Sequence, residues 1–157
     1  MATRQATWAY RGRFGDAYGR TYFRRFGPGV VSSVGMGTYL GDPTEAVDDR
    51  YRAALVEGLE SGANLIDTAA NYRCGRSERV VGEALRKAAV DREAVVVATK
   101  GGFVPFDGSR PDDPSAHIRR TFVENGPLSP DDLARGSHAM TPAFLDAMLD
   151  RSLVTLG

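Results

Sequence analysis

Residues 94–100 read Ala94-Val95-Val96-Val97-Ala98-Thr99-Lys100, a continuous apolar run that stops on a charge. A parallel strand covered on both faces has this form. Upstream, Ala63-Asn64-Leu65-Ile66-Asp67 is a shorter run of the same kind, closed by an acid. Between them Val81, Ala84, Leu85 and Ala88 recur at helical spacing behind Ser77, which is placed to cap that helix. Further back, Asp42 reads as an N-cap, Pro43 as a first helical residue and Gly62 as a stop. The helix they bound has Val47, Tyr51, Ala54, Leu55 and Leu59 on its inner face. Residues 30–38 hold the first strand. On the other side, Thr141 and Pro142 open a third helix with Leu145, Met148, Leu149, Ser152 and Leu156 along one side, ending at Gly157. Strand followed by helix, three times, predicts α/β architecture with βαβ units and a parallel sheet. Periodicity alone leaves open whether that sheet is doubly wound or part of a barrel.

Two segments fall outside the rhythm. Residues 8–40 are rich in aromatic and β-branched side chains and punctuated by glycine, so residues 1–29 read as a short β-rich lead-in of strands and turns. Residues 101–140 hold five of the eight prolines, with one short helix expected from Ser129 to Arg135. A connection this long is usually functional or mobile. The expected organisation is therefore a lead-in over 1–29, three strands and two helices over 30–100, a loop insertion over 101–140 and a third helix over 141–157.

Composition sets broad limits. The chain has 157 residues, enough for one compact domain, with 42% hydrophobic and 25% charged residues. Twenty basic and twenty acidic residues cancel, which gives no reason to expect a nucleic acid or an anionic membrane as partner. No stretch approaches the roughly 20 apolar residues of a membrane span. The first residues lack the apolar region of a secretory signal. A single cysteine, Cys74, has no internal disulfide partner, and together these features predict a cytoplasmic protein.

Three polar residues stand where a parallel α/β fold places chemistry. Asp67 ends one strand, Tyr72 lies in the loop after it and Lys100 ends the next strand. Strand C-termini and the loops that follow form the functional face, so the three are expected at one mouth. A phenol is a poor acid at neutral pH, and a nearby ammonium favours its ionised form. A carboxylate paired with the lysine would fix that ammonium, and the tyrosine could then protonate a carbonyl oxygen as a general acid. The hydride for such a reduction must come from a cofactor.

Five segments carry a resemblance. They are Gly35-Met36-Gly37-Thr38, the stretch Asn64-Leu65-Ile66-Asp67-Thr68-Ala69-Ala70-Asn71-Tyr72, Ser77-Glu78-Arg79-Val80-Val81-Gly82-Glu83-Ala84-Leu85, Ala98-Thr99-Lys100-Gly101-Gly102, and Ser152-Leu153-Val154-Thr155-Leu156-Gly157. In this order and spacing the chain resembles an aldo-keto reductase from about Phe26 to its last residue. The resemblance implies the first half of a TIM (β/α)8 barrel and an oxidoreductase that reduces aldehydes or ketones with NADPH, or with NADH. Asp67, Tyr72 and Lys100 match three members of the family's catalytic tetrad, with Tyr72 as proton donor, Lys100 as its partner and Asp67 as the lysine's anchor. Gly37, Thr38, Tyr39 and Asp67 match positions that meet the nicotinamide end of the cofactor. No metal is implied. The fourth tetrad member, a histidine, follows the family's fourth strand, so the chain is expected to be truncated before it. A complementary C-terminal half is expected to be needed for activity, and the chain without it is expected to self-associate through its uncovered apolar faces. The alternative is a non-catalytic remnant or a regulatory, binding subunit that kept the fold.

Relatives commonly carry Tyr-Gly-x-Ser-Glu, whereas Tyr72 is followed here by the more basic Arg73-Cys74-Gly75-Arg76-Ser77-Glu78. Arg73 and Arg76 read as solvated loop charges. Cys74, with no base placed beside it, reads as a small loop residue, and His117 and His138 read as loop histidines.

Overall fold

The computed structural model describes residues 1–15 and 17–157. Helix α1 spans Arg4–Arg13, where the aromatic content predicts strands and turns. Local capping decides the matter: the Thr3 hydroxyl accepts from the amide of Ala6, and Arg11 and Arg13 lie in the last turn, where cations suit the helix dipole. Thr7 and Tyr10, three apart, form its buried side. An antiparallel hairpin follows, β1 Phe23–Phe26 and β2 Gly29–Ser32; its second strand takes the first residues of the segment 30–38, so only the end of that segment is left for the parallel sheet.

The parallel sheet follows. Strand β3 is Met36–Gly37, β4 is Leu65–Asp67 and β5 is Val96–Ala98, in spatial order β3-β4-β5. Both pairings are parallel, with Gly37 opposite Asp67 and Asp67 opposite Ala98. Helix α2, Glu45–Glu60, has Thr44 rather than Asp42 at its N-cap position, so Pro43 lies before the helix and not at its first residue, and the Thr44 amide donates to the Asp42 carbonyl. Gly62, with φ of 104°, follows its end as expected. Helix α3, Arg76–Lys87, begins behind Gly75, and Ser77 is not its cap. The Ser77 hydroxyl donates instead to the carbonyl of Thr38, tying α3 to the end of β3. Helix α5, Pro142–Leu156, starts at Thr141 and Pro142 as the sequence predicts.

The three long helices lie on one face of the sheet. Leu55 and Leu59 of α2, Ile66 of β4, Val80, Val81, Ala84 and Leu85 of α3, Val95 and Leu156 form one buried cluster. Leu59, Ile66 and Val81 have no exposed surface, and full burial of such a side chain stabilises by about 1.5–3 kcal/mol. The expectation that β5 is covered on both faces is only partly met: Val95 is buried, Val96 and Val97 are half-buried and Ala98 is exposed. The described sheet is open, and α1 and the hairpin pack where the chain enters its strands, against Asn64 before β4 and Arg92–Ala94 before β5.

Asn64, fully buried, joins these parts. Its side-chain oxygen accepts from the amide of Ser32 at 2.7 Å. Its Nδ2 donates to the carbonyls of Val30 and Ala94, and its own amide donates to the Ser32 hydroxyl. A buried amide with all its groups partnered contributes where an unpaired one would cost.

Residues 101–140 are more structured than the sequence suggests. Helix α4 spans Pro114–Ile118 and continues as a π-helical stretch over Arg119–Glu124. The helix expected over Ser129–Arg135 shrinks to a single 3-10 turn, Pro130–Asp132, with Ser129 and Asp132 capping each other. Val104, Ile118, Phe122, Leu128 and Ala139 bury against Phe144 and Met148 of α5, a second core separate from the first. No described helix is long and apolar enough to cross a membrane.

Candidate functional site

Parallel pairing of β4 with β5 sets Asp67 and Lys100 on neighbouring strand ends. The Lys100 ammonium donates to Asp67 Oδ1 at 2.7 Å and to the carbonyl of Thr68 at 2.9 Å. It also lies 5.1 Å from the centre of the Tyr72 ring. Both members of the ion pair are half exposed, at 49% and 53%. Burial works against the Lys100 charge, but the Asp67 carboxylate and the Tyr72 side chain outweigh it and hold the ammonium's pKa above its ordinary value. The three residues expected to meet do meet at one mouth.

The first loop reaches the same place. Gly37 ends β3 opposite Asp67, and no heavy atom lies within 4 Å of where a Cβ would stand on it. Thr38 is buried, with its hydroxyl donating to the Thr68 hydroxyl at 2.9 Å. Tyr39 is exposed, and its ring meets that of Tyr72 edge-on, with centres 4.9 Å apart. Tyr72 is therefore flanked by an aromatic ring and an ammonium.

Behind Tyr72 the backbone takes an unusual path. Arg73 (φ 50°), Cys74 (φ 57°) and Gly75 (φ 82°) are consecutive left-handed residues. A left-handed L-residue costs about 1–2 kcal/mol, so the first two need support from their surroundings. Arg73 is not the solvated charge that its sequence context suggests. Its side chain is 1% exposed and paired with the buried carboxylate of Asp48 on α2. Its Nε and Nη2 also donate to the carbonyl of Asp42, and Nη2 to that of Thr44. Arg76 donates from Nε to the second Asp48 oxygen at 2.7 Å and from Nη2 to Glu45, so it too is engaged. Asp48 lies on the inner side of the first turn of α2. An acid at that point of an amphipathic helix is the one signal in the sequence that could have found this clasp.

Cys74 is half-buried within the same turn, and its carbonyl accepts from the amide of Gly108. His138 stacks edge-on against Phe103 at 4.8 Å and His117 against Phe106 at 5.8 Å, both within the insertion. Glu78, buried on α3, accepts from Thr99 at 2.6 Å and from Ser152 at 2.7 Å, fastening the end of β5 to α5 just before Lys100.

Comparison with known proteins adds a family. The family model described as "Aldo/keto reductase family" matches residues 33–157. An NADH-specific methylglyoxal reductase of Escherichia coli (strain K12) is 44% identical over 80 residues, covering 48% of this chain and 24% of its own. An uncharacterized oxidoreductase of Mycobacterium tuberculosis (strain H37Rv) is 37% identical over 109 residues, covering 65% of this chain and 33% of its own. The chain thus spans about a quarter to a third of the length of these curated relatives. Among solved structures, an aldo-keto reductase of Bacillus halodurans in its holo form superposes with a TM-score of 0.52 at 26% identity, over 85% of this chain and 36% of that one.

Proposed function

The chain belongs to the aldo/keto reductase family, and on that premise we propose that it carries the proton-donating side of an NADPH-dependent reduction of small aldehydes or ketones. The carrying observation is the Lys100 ammonium, fixed by Asp67 at 2.7 Å and set beside the Tyr72 ring. Tyr72 donates its phenolic proton to the carbonyl oxygen of the substrate. Lys100 stabilises the phenolate left behind, and Asp67 keeps Lys100 in place. Charge compensation held ready in this way needs no reorganisation during the reaction.

The residues at the mouth suit the nicotinamide end of the cofactor. Open space beside Gly37 lets a flat group approach the backbone. The Asp67 carboxylate, engaged with Lys100 through Oδ1, is half exposed and offers the acceptor that a ribose hydroxyl needs. Thr38 and Tyr39 line the same approach. The nicotinamide, when bound, supplies the hydride. NADPH is the family's usual cofactor, and NADH is the alternative that the Escherichia coli relative's name points to.

Tyr72→Phe tests the reading in a protein that joins residues 1–157 to the strands completing the family barrel. The variant keeps the ring and removes the transferable proton. Carbonyl reduction, followed as NADPH oxidation, should fall by about 10²–10⁴ with cofactor affinity preserved. Turnover at the parent rate would sink the assignment.

A further inference from the structure

Nothing in the reaction so far uses the clasp behind Tyr72, although it is the most heavily supported arginine contact described above. The turn 73–75 is held on both sides. On one, the Arg73 side chain enters the start of α2, where Asp42, Thr44 and Asp48 receive its guanidinium. The Tyr51 ring packs against the guanidinium carbon at 5.1 Å. On the other, the insertion runs alongside: Gly108 donates its amide to the Cys74 carbonyl at 2.8 Å, and a Cβ on Gly75 would stand 2.9 Å from the carbonyl of Phe106. A left-handed arginine persists only where its surroundings over-determine it. Here the surroundings are a buried carboxylate and two backbone carbonyls that point at its side chain. The turn begins at Tyr72, so whatever fixes the turn fixes the origin of the phenol.

We propose that Arg73 is the positioning residue for Tyr72: its guanidinium, clasped by Asp48 and the Asp42 and Thr44 carbonyls, holds the left-handed turn that sets the phenol between Tyr39 and Lys100. This rests on the proposed role of Tyr72. It goes beyond that role by assigning specificity of placement to a residue that touches neither substrate nor cofactor. Arg73 differs from Arg76, which shares Asp48 but sits one residue past the turn. A lysine cannot substitute fully, because a single ammonium lacks the planar fork that reaches several acceptors at once.

The experiment uses the full-length protein with 3-fluorotyrosine placed at position 72, and compares Arg73→Gly, Arg73→Lys and Arg76→Ala. Glycine is at ease in the left-handed turn, so Arg73→Gly removes the clasp without adding backbone strain. Misplacing a reacting group by about 1 Å can cost about 10²-fold. Arg73→Gly should therefore lower kcat by about 10–100-fold with little change in KM for the cofactor. Arg73→Lys should fall between it and the parent, and Arg76→Ala should keep the parent kcat. Parental kcat in Arg73→Gly or Arg73→Lys, or an equal loss in Arg76→Ala, overturns the proposal.

The fluorine signal separates this claim from the proposed reaction. In the parent, Lys100→Met should shift the resonance of residue 72, because the ammonium lies against that ring. In the Arg73→Gly background the same change should leave the resonance nearly unmoved. If the parent shows no reductase activity, this coupling alone decides: its loss upholds the positioning role and its retention overturns it.

Discussion

The strand–helix layer and the segment 101–140 both bury an apolar cluster, yet they are built by different means. In the layer, Leu59, Ile66 and Val81 come inward because helical and strand periods put them on one side of regular elements. In the insertion, Val104, Phe122 and Leu128 come inward through a π-helical stretch, a lone 3-10 turn and isolated bridges such as Phe103 with His138. The candidate chemistry sits entirely on strand ends and βα loops of the layer, while the insertion contributes backbone support to the Tyr72 turn. Regular hydrogen bonding fixes where charges stand, and the irregular segment fixes what presses on them from behind.

Beyond Tyr72 itself, Lys100→Met should produce the largest effect, and it tests the layer's side of the contrast. Removing preorganised charge of this kind costs about 10²–10³ in kcat. A methionine variant with parental turnover would detach Lys100 from the chemistry. Phe144→Ala tests whether the second core stands apart. Phe144 has no exposed surface and meets Phe122 edge-on at 6.0 Å, so truncation should cost about 3–5 kcal/mol. Hydrogen exchange should quicken at Val104, Leu128 and Ala139 before it does at Ile66 or Val97. Equal quickening in both sets would mean that the two cores melt as one.

Gly102→Ala should be milder. Residue 102 has φ of 100°, and a Cβ there would stand 2.7 Å from His138 Nε2, so a loss of about 1–3 kcal/mol in denaturant unfolding is expected. No measurable loss would show that the insertion's entry gives way easily.

The smallest effect concerns α1. Burial first, then the neighbouring Tyr22, pushes the Tyr10 phenol above its ordinary range. A group with a raised folded pKa lends stability that is fully present below its unfolded value, about 10, and lost as pH rises through the folded one. Unfolding free energy should therefore decline above about pH 10. Tyr10→Phe should flatten part of that decline and lose the hydrogen bond to the Leu59 carbonyl, worth about 0.5–1.5 kcal/mol at neutral pH. The remaining slope belongs to Tyr22 and Lys100, both also raised. An unaltered slope in the variant would mean that α1 is not docked through Tyr10.

The same contrast explains what could be read in advance. The three parallel strands, their helices and the meeting of Asp67, Tyr72 and Lys100 follow from short-range pattern, because strand ends on one sheet edge converge whatever the loops do. Helix α1 was hidden because Trp8 and Tyr10 count towards strand, while its decisive features are one threonine cap and a side chain that reaches Leu59. Thr44 displaced Asp42 as the cap through backbone geometry that composition does not encode. Arg73 was misread for a sharper reason: a loop arginine is normally solvated, and its burial depends on Asp48, twenty-five residues earlier and on another element. The insertion's core was invisible because its partners, Phe144 and Met148, belong to a helix whose own period points them at nothing local.

The buried amide of Asn64 bears on alignment errors. A slip of one residue sends every side chain of a strand to the opposite face. It would put Leu65 where the hairpin and the turn before β5 present the Val30 carbonyl, the Ala94 carbonyl and the Ser32 amide. Three backbone groups would lose their partner in a dry place, at about 1–3 kcal/mol each. With strands of only two or three residues, too short to enforce their own ladder, one asparagine makes every misaligned pairing expensive.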